Sequence, residues 1–153
     1  MKFYADKYGT ATNALPAQTS TGSEAVVVIT TASLPNATVL TDGDLIYLGT
    51  IPQGYKCVGL TLFAEDLDEG AALAFSVGLC DAADAVLDTV FVATSNLGQA
   101  GGTLAVPATT TMFTTAAAST DKILAIEVTT TAAVAMAAAR KVGAVVTYIP
   151  VSL

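Results

Sequence analysis

The sequence predicts an all-β protein: an antiparallel β-sandwich, jelly-roll-like, preceded by an extended N-terminal arm. Three observations carry that prediction. Runs rich in β-branched, aromatic and aliphatic residues recur at strand length, roughly at 24–31, 44–51, 55–64, 71–80, 86–93, 121–129 and 142–151. Turn chemistry separates them, with Asp42-Gly43, Pro52-Gln53-Gly54 and the acidic stretch Glu65–Gly70. Alternation within the runs gives two unlike faces. Along 71–79, Leu73, Phe75, Val77 and Leu79 share one side, opposite Ala72, Ala74, Ser76 and Gly78. Along 55–64, Val58, Leu60 and Leu62 stand opposite Cys57, Gly59, Thr61 and Phe63. A large aliphatic face and a small one on the same strand point to packing on both sides.

Residues 1–23 form the predicted arm and 24–153 the single sandwich domain. The arm carries Phe3, Tyr4 and Tyr8 on otherwise polar text rich in Thr, Ser, Ala and Gly. Those aromatics either dock on a neighbouring molecule or fold back along the chain's own sheet. No apolar signal core precedes the arm, so synthesis in a cytoplasm is expected. The strands at 44–51, 55–64 and 71–80 read as a three-strand meander around which the rest is organised. Ser95–Pro107, with three glycines, reads as a long loop. Thr109–Thr115 is strand or loop. The Ala-rich Thr130–Lys141 has helical composition, yet two strands flank it and so short a helix is marginal in water. A wide hairpin loop with at most one helical turn is expected there, for about seven or eight strands in all.

Composition narrows the function. Of 153 residues, 53% are hydrophobic and only 12% charged, about half the usual share of ~25%. Mean hydropathy is +0.63, but the longest apolar run, Ala132–Ala139, is far short of the roughly 18 residues of a membrane span. A surface so poor in charge predicts contiguous apolar patches and hence an obligate assembly. The net charge of −7, with six basic residues of which only Arg140 and Lys141 adjoin, excludes a phosphate-binding patch and disfavours anionic membranes. No nucleic-acid or membrane partner is expected.

Catalytic constellations are missing from the text. The chain has no His, which removes the triads that depend on it and a leading metal ligand. Two cysteines are too few for a zinc site. If the strands at 55–64 and 71–80 pair, Cys57 and Cys80 lie nearly opposite each other. A cross-strand disulfide is geometrically demanding and disfavoured in a reducing compartment, and the alternative is two small buried thiols. Gly98-x-x-Gly101-Gly102 lacks the Lys and helix of a phosphate loop. Glu65, Asp66, Asp68 and Glu69 are candidate ligands for a hard cation such as Ca²⁺. They match no recognised calcium loop, and a solvated hairpin tip is the preferred reading. No cofactor and no enzyme activity are expected.

The strand-and-turn text also resembles a family. Its carriers are DGDLIYLG at 42–49, IPQG at 51–54, LFAEDLD at 62–68 and VGL at 77–79, with NLGQAGG at 96–102 and Val142–Tyr148 similar in style. Over roughly 40–150 this resembles the head decoration (cement) proteins of tailed bacteriophages, small virion structural proteins. The resemblance implies a β-sandwich or jelly roll on the outer capsid surface, with the major capsid protein and further copies of itself as partners. A trimer is expected in preference to a dimer. Capsid contact is expected through the arm residues Phe3, Tyr4 and Tyr8 and a loop edge holding Leu97, Met112, Phe113 and Met136. A tail, neck or fibre component is the structural alternative. A calcium-dependent surface-binding module is the alternative from another class.

Overall fold

A computed structural model of the chain describes residues 2–4, 25–81, 83, 86–106, 112, 115–117 and 119–151. Nine strands are found among them: β1 (Lys2–Tyr4), β2 (Val26–Leu34), β3 (Leu45–Ile51), β4 (Tyr55–Ala64), β5 (Ala74–Cys80), β6 (Thr89–Ser95), β7 (Gly102–Val106), β8 (Lys122–Thr130) and β9 (Arg140–Pro150). They build two sheets stacked as a sandwich, one ordered β1-β3-β8-β5-β6 and the other β2-β9-β4-β7. Every pairing is antiparallel except β1 with β3. Among the described residues no helix is long and apolar enough to cross a membrane.

The two central strands explain the core. β8 (KILAIEVTT) turns Leu124, Ile126 and Val128 inward, and β9 turns in Val142, Ala144, Val146 and Tyr148. Ile46 and Leu48 of β3, Phe75, Val77 and Leu79 of β5, and Leu60 and Leu62 of β4 complete the layer. The expected aliphatic face of 71–79 is therefore the core face. The opposite side of the five-stranded sheet holds a second buried cluster of Leu45, Tyr47, Cys80, Ile123 and Ala125, against which Leu87 packs. A sheet buried on both sides reads as a near-continuous apolar run, and all seven residues of β3 (LIYLGTI) are buried.

The three strands of the expected meander exist at nearly the expected residues, but they form no meander. β3 and β5 flank β8 in one sheet, while β4 lies between β9 and β7 in the other. The Pro52–Gly54 turn, closed by the Tyr55 N–H donating to the Pro52 carbonyl at 3.1 Å, thus arches from sheet to sheet. Pro and Gly specify a reversal, and the same turn residues serve a hairpin or an arch. A bulge also changes the face of Cys57. β4 pairs Cys57 with Tyr148 and Gly59 with Thr147, leaving Val58 as an extra residue. Beyond it Gly59, Thr61 and Phe63 face outward as expected, but Cys57 joins the core, because one inserted residue inverts a period of two.

Other boundaries differ for local reasons. The expected loop 95–107 contains the edge strand β7, paired to β4 from Leu60↔Val106 to Ala64↔Gly102. Gly98 and Gly101 belong to the turn before it: Gly101 has φ +71, and a Cβ there would stand 2.9 Å from the Ala64 carbonyl oxygen. Residues 86–88 precede β6 and do not join it. The Leu87 N–H donates to Glu127 Oε2 at 3.0 Å and the Asp88 N–H to the Leu79 carbonyl at 2.8 Å, which lays Leu87 over the outer cluster. The Ala-rich stretch has neither a helix nor a hairpin, since β8 and β9 belong to different sheets. It crosses the end of the sandwich with Ala132 and Met136 buried beneath it. Its N–H groups find partners outside: Ala132 donates to the Leu40 carbonyl at 2.8 Å and Met136 to that of Thr38 at 3.1 Å.

Gly143, the fourth residue of β9, marks a close approach. A Cβ there would collide with the Thr30 carbonyl oxygen of β2 and with the Phe63 ring of β4. Gly143→Ala should therefore destabilise the fold by about 1–3 kcal/mol, the usual cost of overpacking. Urea unfolding measures it, and an unchanged midpoint would contradict the packing described.

Candidate functional site

The acidic stretch between β4 and β5 was the strongest chemical candidate in the sequence, and its geometry gives it another use. Asp68 is fully buried, at 0% exposure. Its Oδ1 accepts the N–H groups of Gly70 and Val134, both at 2.9 Å, and its Oδ2 those of Ala72 at 2.6 Å and Leu73 at 2.8 Å. Glu65 Oε2 accepts the Lys141 N–H at 2.6 Å, and Glu69 Oε1 the Ala137 N–H at 3.2 Å. Asp66 Oδ1 accepts the N–H of Asp68 itself at 3.2 Å. Gly70 allows the approach, since a Cβ there would lie 2.5 Å from the Ala133 Cβ. The solvated hairpin tip is thus a clip joining the β4–β5 connection to the β8–β9 crossing.

Burial by itself pushes the Asp68 carboxyl up. The N–H groups of Val134, Ala133, Gly70 and Ala72 outweigh that and hold it well below the usual carboxylate range. Among the described residues no three of Cys, Asp and Glu stand where they could hold a metal ion together. As ligands these acids would have to give up their backbone donors.

At the opposite end of the sandwich a cleft of ≈ 160 Å³ opens between the sheets, lined by Ile51, Cys57, Leu79, Phe91 and Met112, with Lys56 and Lys122 also on its wall. Lys122 is held by Asp81 at 2.8 Å and Asp88 at 3.0 Å, which raise its pKa above the usual lysine range. Cys57 and Cys80 are both buried and form no disulfide, and they belong to different sheets. Burial pushes the Cys57 thiol up to about 11, so at neutral pH it stays protonated and poorly nucleophilic.

The residues expected to meet a partner scatter. Met112 and Met136, at 0% and 1% exposure, belong to the chain's own core, and Leu97 is half-buried against it. Met and Leu in loops are as useful to a core as to an interface, and sequence does not separate the two. Phe3 and Tyr4 lie on β1, whose backbone pairs with β3 as Phe3↔Ile46 and Tyr4↔Tyr47. Tyr8 and Phe113 lie outside the described residues.

The surface that sequence reading missed is the outer face of the four-stranded sheet. Its middle rows are Val27, Ile29 and Thr31 of β2; Thr147, Val145 and Gly143 of β9; Gly59, Thr61 and Phe63 of β4; and Thr103 and Ala105 of β7. None is charged. Val27 and Ile29 are 62% and 64% exposed, the most open large hydrophobics among the described residues. One signal was available: no charged residue occurs from Ala25 to Leu40.

No protein-family model matches the chain, and no protein of curated function does. Solved structures do. A chain of the capsid of Ralstonia phage GP4 is 20% identical, with each chain covered over 100% of its length and a TM-score of 0.75. A chain of the cyanophage Pam1 capsid asymmetric unit is 26% identical, over 92% of this chain and 96% of that one, with a TM-score of 0.60.

The clip gives the expected pH behaviour. Because folding lowers the Asp68 pKa below its ordinary 3.8, its stabilisation is complete above that value and declines as the pH falls below it. Asp68→Asn should be destabilised at neutral pH by on the order of 3 kcal/mol, since buried N–H groups lose their acceptor. It should also lose less stability than the parent between pH 6 and pH 3. Urea midpoints at the two pH values measure both effects; parallel losses in the two proteins would remove Asp68 from the acid response.

Proposed function

We propose that this chain is a non-enzymatic structural protein of a phage virion, and within it a decoration (cement) protein of the head. In this reading it sits on the outer surface of the capsid shell as a homo-oligomer and braces neighbouring major capsid subunits. The observation that carries the reading is the end-to-end likeness, over all of both chains, to a chain of a phage capsid. The 26% identical chain from a second phage capsid supports it independently.

The physical make-up of the domain suits such work. Bracing a shell requires a stiff body, and two sheets with buried faces supply one. It requires little charge on the contact surfaces and no reactive centre. Many modest contacts repeated over a symmetric lattice then add through avidity. Contact with the major capsid protein is assigned to the N-terminal residues, with Phe3, Tyr4 and Tyr8 as its aromatic anchors.

Binding of the purified protein to purified heads lacking it tests the proposal. Saturable binding and a raised temperature of head disruption are expected. Electron microscopy of the labelled chain should place it on the head exterior, and label at the neck or tail would overturn the decoration reading. Deletion of residues 1–21 should weaken binding at least tenfold, and unchanged binding would remove the arm from the contact.

A further inference from the structure

We propose that β2 is a self-association edge, which pairs antiparallel with β2 of a second copy about a two-fold axis near Val28. The proposal rests on the homo-oligomer named above, and it does not depend on where in the virion the protein sits.

The first ground is the edge itself. Among the described residues β2 pairs on one side only, with β9. Strand edges of soluble proteins are protected by shortness, bulges, proline or charge. The other three edges have such protection: β1 is three residues long, β7 is five and starts at a glycine with φ +128, and β6 has two register shifts against β5. β2 has none. It runs nine residues in unbroken register with β9, and its text VVVITTASL holds no charge and no proline. Along Val26–Thr30 no described strand takes the outward main-chain groups, and another extended strand matches them.

The second ground selects a copy of this chain as that strand. The protein carries a net charge of −7, so two copies repel wherever acids face each other. Its described charges gather chiefly at the two ends of the sandwich. Asp42, Asp44, Glu65, Asp66, Asp68, Glu69, Arg140 and Lys141 lie at one end, and Lys56, Asp81, Asp88, Asp121 and Lys122 at the other. Glu127 stands on the outer side of the five-stranded sheet beneath Leu87. In the sheet that contains β2, the outer rows from Val27 to Thr31 and their partners on β9 carry no charge, with Lys141 and Lys56 only in the end rows, so two copies approach along this edge without like-charge repulsion.

The third ground sets the register. Val27 and Ile29 point to the same outer face and are the most exposed large hydrophobics described. Pairing centred on Val28 places Val27 opposite Ile29 of the second copy, twice by symmetry. Opposed β-branched pairs on one face are the unit of sheet stabilisation. The result is a continuous eight-stranded sheet through the dimer. A β2–β2 contact uses up its own edge and closes at two copies, so it replaces the expected trimer with a dimer.

Light scattering on the purified chain should give twice the 15.4 kDa chain mass. Ile29→Lys should give the single-chain mass, with an unchanged circular dichroism spectrum because the side chain is exposed. Val90→Lys, on the exposed part of β6, should leave the dimer intact. The double variant Val27→Cys/Ile29→Cys should form a covalent dimer on oxidation, whereas neither single variant should; the native thiols are buried and do not interfere. A single-chain mass for the parent at concentrations up to millimolar, a trimer mass, or a dimer that survives Ile29→Lys would each overturn the proposal. Head binding by a protein that stays monomeric would overturn the edge and leave the proposed function standing.

Discussion

The buried carboxylate of Asp68 ties one end of the sandwich together. Its two oxygens take backbone donors from its own connection between β4 and β5 and from the crossing between β8 and β9. One residue earlier, the Leu67 N–H donates at 2.7 Å to the carbonyl of Gly98, in the connection between β6 and β7. Three connections that carry the chain between strands therefore meet at one point. An ionised side chain at 0% exposure is tolerated because its lone pairs are occupied by N–H groups, each of which would otherwise be buried without a partner. The same arrangement accounts for the Ala-rich crossing. Alanines offer no side-chain hydrogen bonds, and a chain of them out of helix leaves its N–H groups open. Asp68, Glu69 and the carbonyls of Thr38 and Leu40 serve as acceptors in place of a helix.

The second organising fact is how charge is placed. With 12% charged residues the protein cannot cover all of its surface with them, and it keeps most of them at the ends. One sheet then hides its outer apolar cluster beneath Leu87, held by Glu127. The other sheet leaves the middle rows of its outer face uncharged, with Val27 and Ile29 open to solvent. This asymmetry is what a building block requires. A monomer with so large a neutral face invites uncontrolled association, whereas a repeating structure uses such a face in a fixed geometry. The likeness to chains of two phage capsids agrees with that reading of the surface.

Much of this was legible in the residues, and the failures have definite causes. The strands at 44–51, 55–64, 121–129 and 142–151 lie within two residues of β3, β4, β8 and β9, because β-branched alternation is a local signal. Their pairing was not legible. Pro52-Gln53-Gly54 specifies a reversal, but whether it stays in a sheet or crosses the sandwich depends on which face of the next strand must be buried. β7 was hidden by Gly101 and Gly102, both at positive φ, the first in a tight approach to Ala64; the pair marked the whole segment as loop. The acidic stretch showed its charge but not the donors that make it a clip, the N–H groups of Val134 and Ala137, which lie more than sixty positions later.

By itself, then, the sequence determined the class of the fold, the absence of His-dependent chemistry and the scarcity of basic residues. Those follow from composition and from periods of two, which act over a few residues. The tertiary structure decided which strands share a sheet, that Asp68 is a clip and no solvated tip, that Met112 and Met136 are core, and that the neutral face is built by β2 with β9, β4 and β7. Each of those depends on contacts between distant segments. Such contacts are set by the joint burial of two sheets, a quantity no stretch of the chain contains alone.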